Sequence, residues 1–348
     1  MSLMDATKTE VFDLPIETEP MEARLAEALP ADDGWQYEPK WDGFRCLAFK
    51  RGDEVDIRAK SGKPLGRFFP EVIAFLRGLP AERFVLDGEL VIETGGSLSF
   101  PALQARLHPA ASRIAKLSQE TPARLVLFDM LVDADGELLL ERPLSERRRQ
   151  LEAFYEVQAS ANLSLSPVTL ELEEARAWLS ASGNEATDGL VAKRLADVYM
   201  PGERAMIKVK RLRTADCVVG GFRYQSETDA VGSLLLGLYD ADGKLDHMGF
   251  TATIRNAERA ALTKQLEALR EPPGFTGRAP GGPSRWSTER SADWQPLRPE
   301  LVVEVRFDQV TEGRFRHGTK LLRWRPDKTP SQCTFEQIAA PVRMPTAK

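Results

Sequence analysis

Five short segments of the 348-residue chain place Lys, Arg, Asp or Glu within or at the end of an apolar run. They are Lys40-Trp41-Asp42-Gly43-Phe44-Arg45, Leu86-Asp87-Gly88-Glu89-Leu90, Asp188-Gly189-Leu190-Val191-Ala192-Lys193, Ile207-Lys208-Val209-Lys210 and Arg323-Trp324-Arg325-Pro326-Asp327-Lys328. Alternation along a strand puts Lys208 and Lys210 on one face. Two ammonium groups side by side on a buried face are unfavourable unless an anion lies between them. A lysine is a nucleophile only as the neutral amine, and its free pKa is ~10.4. It therefore needs desolvation or neighbouring cations, such as paired lysines and a metal, to lose its proton near neutrality. Carboxylates such as Glu89 and Asp188 are hard oxygen ligands suited to Mg²⁺ or to ribose hydroxyls. The set fits attack by a lysine on a metal-bound nucleoside triphosphate.

Taken singly, each piece has an ordinary structural reading. Lys-x-Asp-Gly and Asp87-Gly88 are compatible with exposed turns. Ile-Lys-Val-Lys is compatible with a half-exposed edge strand, and Arg323 to Lys328 with a solvated charge run. Their ordered co-occurrence in one chain is what favours chemistry.

The elements that must position these segments can be read from periodicity. Trp35–Lys40, Phe44–Phe49 and Val55–Arg58 read as short strands, with Lys50-Arg51-Gly52-Asp53 as a hairpin turn. Phe84–Ile92 and Leu125–Leu131 are further apolar strands, Asp133-Ala134-Asp135-Gly136 is a turn, and helices are expected at Leu144–Tyr155 and Glu173–Ser182. After Lys208-Val209-Lys210-Arg211-Leu212-Arg213 the texture changes to short strands, Cys217–Phe222, Ser233–Tyr239 and Leu301–Phe307, with one helical stretch at Ala257–Arg270. Glu271–Arg290, rich in Gly, Pro and Ser, reads as a long loop. Short strands with one helix are compatible with a small barrel such as an OB-fold, although spacing alone does not select it.

Length implies two domains, with enough apolar content to bury both as a globular protein. No apolar run approaches the ~20 residues of a membrane helix. The acidic, Pro-containing N-terminus lacks the layout of a secretory signal, so the expected compartment is the cytoplasm. Cys46, Cys217 and Cys333 form no Cys-x-x-Cys pair, which argues for reduced thiols rather than a zinc ribbon or disulfide framework. The net charge of −5 hides an asymmetry: residues 1–202 hold 23 Lys and Arg against 34 Asp and Glu, and residues 203–348 hold 24 against 18. A basic C-terminal region on an acidic body suits a polyanion-binding module joined to a nucleotide-binding one.

Lys-x-Asp-Gly-x-Arg, Asp-Gly-Glu, Phe-Asp, Asp-Gly-Leu-Val-Ala-Lys, Lys-Val-Lys and Arg-x-Asp-Lys occur in an order that resembles the covalent nucleotidyltransferase superfamily. The likeness is greatest to ATP-dependent DNA ligases of the compact bacterial LigC type, and spans Pro20 to Lys328. It implies an α+β fold: a nucleotidyltransferase (adenylation) domain, 1–213, with antiparallel sheets and flanking helices, then a small β-barrel OB-fold domain, 214–348. It also implies that Lys40 forms a lysyl-AMP phosphoramidate and that Glu38 helps to read adenine. Arg45 and Arg58 would lie near the ribose, the AMP phosphate or the nick 5′-phosphate. Glu89 would contact ribose or metal, Phe128 would stack on adenine, and Lys208 and Lys210 would hold the AMP phosphate. Asp188, a metal ligand by position, stands where the family commonly has Glu. Arg323, Arg325, Asp327 and Lys328 would orient the departing pyrophosphate. The segment Arg58-Ala59-Lys60-Ser61 departs from the family's usual Ser-Arg pairing.

The implied cofactors are ATP and Mg²⁺ or Mn²⁺, and the implied partner is nicked double-stranded DNA. The reaction has three steps: Lys40 takes AMP from ATP, AMP passes to a nick 5′-phosphate, and the 3′-hydroxyl displaces AMP. An RNA ligase or capping guanylyltransferase would share the lysine chemistry. A catalytically silent nucleic-acid binder on the same fold is disfavoured because Lys40, Glu89, Lys208 and Lys210 are all present. NAD⁺ as donor is disfavoured by the missing cysteine cluster and the Arg-x-Asp-Lys ending. A monomer is expected for a clamp that must surround duplex, with any repair-protein partner unidentified from sequence.

Overall fold

The computed structural model describes residues 12–158, 160–182, 187–226, 228–281, 293–311 and 313–338. Its described residues divide into two compact units, the first running to Lys210 and the second beginning at Arg211. The division precedes Arg213 because that residue opens a strand of the second unit and pairs with Phe307.

The first unit runs β1 (Ala23–Ala26), β2 (Trp35–Trp41), β3 (Phe44–Arg51), β4 (Glu54–Ala59), α1 (Pro70–Gly78), β5 (Arg83–Thr94), β6 (Ser97–Leu98) and α2 (Phe100–Ala105). It continues through α3 (Ala111–Glu120), β7 (Ala123–Val132), α4 (Leu144–Gln158), β8 (Leu163–Leu165), α5 (Leu172–Ala181), β9 (Thr187–Arg194) and β10 (Met206–Lys210). Two sheets result, ordered β1-β10-β9-β2 and β4-β3-β5-β7-β8, with β6 added on β5. Their ladders are antiparallel except β1 with β10 and β7 with β8.

The larger sheet buries one face under helices. Val72 and Leu76 of α1, four residues apart and therefore on one helical face, join Phe69, Phe84, Leu86, Leu90 and Leu125 in the main core. Each such side chain contributes about 1.5–3 kcal/mol on leaving water. The smaller sheet packs Tyr37, Leu190, Ala192, Ile207 and Val209 against Ala175 of α5. Lys40 and Arg45 flank the short link from β2 to β3 that joins these two sheets. A Cβ on Gly43 in that link would lie 2.2 Å from the Leu90 carbonyl oxygen, so only glycine lets the chain turn there.

The second unit runs β11 (Arg213–Tyr224), β12 (Val231–Tyr239), β13 (Leu245–Thr251), α6 (Arg259–Glu267), β14 (Gln295–Pro296), β15 (Val302–Phe307), β16 (Val310–Thr311), β17 (Arg314–Phe315) and β18 (Lys320–Trp324). Its main sheet is ordered β13-β12-β11-β15-β18, wholly antiparallel, around a core of Leu234, Leu236, Leu238, Val303 and Val305. The ends of the path meet at one parallel bridge, Thr251 to Thr319, where Thr319 N–H donates to the Phe250 carbonyl at 3.0 Å. The expected barrel is thus a curled OB-type sheet joined at a single bridge instead of along a full ladder. Of the expected loop Glu271–Arg290, residues 271–281 carry no helix or strand, and 282–290 lie outside the described residues. The three cysteines are free and buried, and no described helix is long and apolar enough to cross a membrane.

Candidate active site

Three strands bring the central lysines into one row. Lys40 on β2 stands opposite Gly189 on β9, and Gly189 stands opposite Lys210 on β10. One row along, Glu38 faces Val191, which faces Lys208. The crossing is tight: a Cβ on Gly189 would lie 2.1 Å from the Val209 carbonyl oxygen. The adjoining Asp188 is 5% exposed, and its carboxylate lies between two cations, with Oδ1 2.9 Å from Lys40 Nζ and Oδ2 3.0 Å from Lys210 Nζ. An anion of the protein itself therefore lies between Lys40 and Lys210, a different pair from the Lys208 and Lys210 for which the sequence calls for one. Lys208 lies on the same face as Lys210, as alternation predicts. Burial lowers its ammonium pKa, and the nearby charges of Lys40, Lys60 and Lys210 lower it further.

The second sheet supplies the other half of the site. Arg45 on β3 pairs with Glu89 on β5, whose Oε1 accepts the Gly43 N–H at 3.0 Å. Burial pushes the Glu89 carboxyl up to about 8, although Lys40, Arg45 and the Gly43 N–H pull the other way. Arg45 makes a two-pronged contact with Asp87, Nε to Oδ1 at 3.0 Å and Nη2 to Oδ2 at 2.7 Å. Burial disfavours the Arg45 cation, but the charge and hydrogen bonds of fully buried Asp87 outweigh it and raise the pKa. Tyr199 O–H donates to the same Asp87 Oδ2 at 2.6 Å and accepts the Met21 N–H at 2.9 Å.

Phe128 on β7 is half-buried between two cations, with Lys193 Nζ 4.9 Å and Arg45 Cζ 5.3 Å from its ring centroid. Lys193 Nζ also donates to the Phe128 carbonyl at 3.2 Å and lies 2.8 Å from Glu38 Oε1, which accepts from Gln36 Nε2 at 2.8 Å. Glu38 is thereby fixed beside the aromatic ring, an arrangement able to hold a flat heterocycle by stacking and hydrogen bonding. Arg58 on β4 engages Asp56 at 3.1 Å and lines a cleft of about 430 Å³ with Glu17, Glu19, Lys60 and Lys63. Lys60 N–H donates to the Arg45 carbonyl at 3.2 Å, so this cleft adjoins the strand that carries Arg45.

The remaining expected residues lie on the second unit. Arg323 pairs with Glu304, Arg325 with Asp327 and Asp216, and Lys328 with Asp216. Sequence reasoning did not single out Asp216, Tyr199 or Gln36, which carry no local motif. Asp87 and Lys193 lay inside the quoted motifs, and the signal for them was charge at a position whose strand neighbours are apolar.

Among the described residues no three His, Cys, Asp or Glu side chains form a metal cluster. Asp188 and Glu89 nevertheless fit Mg²⁺, which characteristically takes one or two protein carboxylates and completes its shell with water and substrate phosphates. The half-buried Glu89 carboxyl, pushed up to about 8, is a group that a cation would stabilise in its charged form.

Residues 18–210 match the ATP dependent DNA ligase domain and residues 227–328 the ATP dependent DNA ligase C terminal region. The chain is 44% identical to DNA ligase C1 of Mycolicibacterium smegmatis, covering 95% of this chain and 97% of that relative. It is 41% identical to DNA ligase C of Mycobacterium tuberculosis, covering 93% and 94% respectively. A solved structure from a study of Lig E DNA ligases shares the fold at 19% identity with a TM-score of 0.52, covering 87% of this chain and 99% of that one.

Proposed function

This chain belongs to the ATP-dependent DNA ligase family, and on that premise we propose that it seals nicks between 3′-hydroxyl and 5′-phosphate ends through a lysyl-AMP on Lys40 and an adenylylated DNA end. The observation that supports this most is the Lys40–Asp188–Lys210 row beside Glu89. Lys40 is one-quarter exposed, which leaves Nζ accessible to an incoming phosphorus. Asp188 Oδ1, 2.9 Å away, pairs with the ammonium and holds it in place.

Most of the site residues have a share in the first step. Glu38 and Phe128 hold adenine, Arg45 the ribose or α-phosphate, and Lys208 and Lys210 the charge developing on the α-phosphate. A divalent ion, held by Asp188 and Glu89, supplies further neutralisation of the triphosphate when bound. Arg323, Arg325, Asp327 and Lys328 orient the pyrophosphate that leaves as the N–P bond forms. The phosphoramidate suits the middle station because protonation of its nitrogen restores a good leaving group. Positive groups recur because each in-line displacement must balance charge on nucleophile, centre and leaving group. Arg58, beside Lys60 and Lys63, is assigned to the nick 5′-phosphate.

The proposed substrate is nicked duplex DNA, contacted in part by the basic C-terminal region, 203–348, with the enzyme acting as a monomer in DNA repair in the cytoplasm. Relatives 32% identical over 87% of this chain are named as multifunctional non-homologous end joining DNA repair proteins, which supports the repair assignment. The deciding experiment is incubation with α-labelled ATP and metal, followed by a chase with nicked DNA. Label should enter the protein and leave it as sealed product appears. Absence of label on the protein, or release by nicked RNA but not nicked DNA, would reject the proposal.

A further inference from the structure

Asp216 on β11, Glu304 on β15 and Arg323 on β18 stand directly opposite one another across three strands. Residues so placed share a sheet face, so the two carboxylates are neighbours, and like charges there repel unless cations cover them. The 323–328 segment supplies those cations. Arg323 Nε donates to Glu304 Oε2 at 2.6 Å, Arg325 Nη1 to Asp216 Oδ1 at 2.8 Å, and Lys328 Nζ to Asp216 Oδ2 at 2.7 Å.

Asp216 differs from the segment's own acid in how firmly it is held. Asp216 is 8% exposed, whereas the side chain of Asp327, the other carboxylate on Arg325, is 63% exposed. Gln337 fixes the Asp216 backbone on both sides, accepting its N–H at 3.0 Å and donating to its carbonyl at 3.1 Å. One rigid carboxylate therefore assigns each of its oxygens to a different cation and sets the spacing of Arg325 and Lys328. Lysine keeps two further N–H donors when one is used, so the pairing fixes direction without exhausting capacity. Long side chains fixed beforehand lose less freedom when they meet a ligand.

We propose that Asp216 is a positioning residue for pyrophosphate, holding Arg325 and Lys328 at the separation that grips the leaving group during lysyl-AMP formation and its reversal. The proposal rests on the assignment of the 323–328 segment to pyrophosphate. Asp216→Asn keeps the shape but gives one cation an amide NH₂ in place of an oxygen, so one contact becomes donor against donor.

The test uses the full chain and three readouts: lysyl-AMP formation from α-labelled ATP, discharge of lysyl-AMP by inorganic pyrophosphate, and sealing of a nick that already carries 5′-adenylate. Asp216→Asn should slow lysyl-AMP formation by about tenfold or more and raise half-saturating pyrophosphate by a similar factor, with pre-adenylated sealing within about twofold of wild type. Because Asp216 acts through the cations, adding Asp216→Asn to Lys328→Ala should cost no more than about a further threefold. Gln337→Ala leaves both ion pairs in place and should give a smaller loss, about threefold, confined to the pyrophosphate-dependent readouts. Equal loss of all three activities in both variants, or fully multiplicative losses in the double variant, would overturn the proposal. A slowed Lys328→Ala with unaffected Asp216→Asn rejects the role of Asp216 alone, and an unaffected Lys328→Ala removes the pyrophosphate assignment and the proposal with it.

Discussion

Replacing Glu89 by Gln should stabilise the metal-free protein, and the gain should grow with pH. The amide oxygen of Gln can still accept the Gly43 N–H that Glu89 Oε1 accepts at 3.0 Å, so the substitution mainly removes ionisation. Burial raises this carboxyl from 4.5 to about 8, against the pull of Lys40 and Arg45. Between those values the folded chain binds more protons than the unfolded one, so stability falls as pH rises. The contribution of the protonated carboxyl is complete below the unfolded pKa and is lost as pH passes through about 8. If the whole shift appeared as stability it would be worth about 4–5 kcal/mol. Glu89 is only partly shielded from solvent, which reduces the expected effect to about 1–3 kcal/mol. Urea unfolding with a chelator present, monitored from about pH 5.5 to 9, should show the Gln variant gaining little at the acid end and about 1–3 kcal/mol at the alkaline end. A variant-minus-wild-type difference that is flat in pH, or that shrinks as pH rises, would refute an elevated Glu89 pKa.

Lys40→Ala and Lys40→Arg should both abolish AMP incorporation, because arginine keeps the charge but cannot deprotonate to attack phosphorus; acid-labile label on the Arg variant would sink the nucleophile assignment. Gly189→Ala should destabilise the first unit by about 1–3 kcal/mol or more and impair adenylation, since the new Cβ meets the Val209 carbonyl at 2.1 Å; denaturant titration checks it. Nick binding should weaken with salt at a log–log slope of about −4 to −5 if ~5 phosphates are neutralised, and a slope near zero in a binding assay would exclude the basic region 203–348 as the contact. Lys328→Ala or Asp327→Ala should impair lysyl-AMP formation severely yet spare much of the sealing at a pre-adenylated nick, because pyrophosphate leaves only in the first step; equal loss of both would place the segment in general DNA binding or folding.

Local pattern made the catalytic strands legible. Trp35–Trp41, Phe44–Arg51 and Leu144–Gln158 lie within three residues of their expected bounds, the two strands as largely buried runs and the helix with Leu144, Leu151 and Phe154 among its buried residues. The helix expected at Ala257–Arg270 is shorter, Arg259–Glu267, with a 3₁₀ turn at Asn256–Glu258 before it. What escaped depends on distant partners. Ala23–Ala26 is a four-residue edge strand held by parallel pairing to β10, and nothing in its own residues signals that. Phe100–Ala105 is a single short helix begun by a Ser99 cap. Asp216 lay just before the expected strand Cys217–Phe222 with no motif of its own, and the fold of the second unit brings Arg325 and Lys328 to it from more than a hundred residues away.

Asp188 and Asp216 share a physical logic that motif reading alone does not reveal. Each is a strand carboxylate less than 9% exposed, and each offers its two oxygens to two different cations, Lys40 with Lys210 and Arg325 with Lys328. Cations gathered to meet a polyphosphate repel one another when the nucleotide is away, and a buried counter-charge removes that cost while fixing their directions. The same carboxylate must then tolerate an arriving phosphate. That is easier at Lys40 and Lys210, about a quarter exposed, than it would be for fully buried cations, because solvent and a divalent ion can share the added negative charge. On the proposed function, the carboxylates at both places would set geometry before binding, and the partly exposed cations paired with them would be the groups that meet the nucleotide.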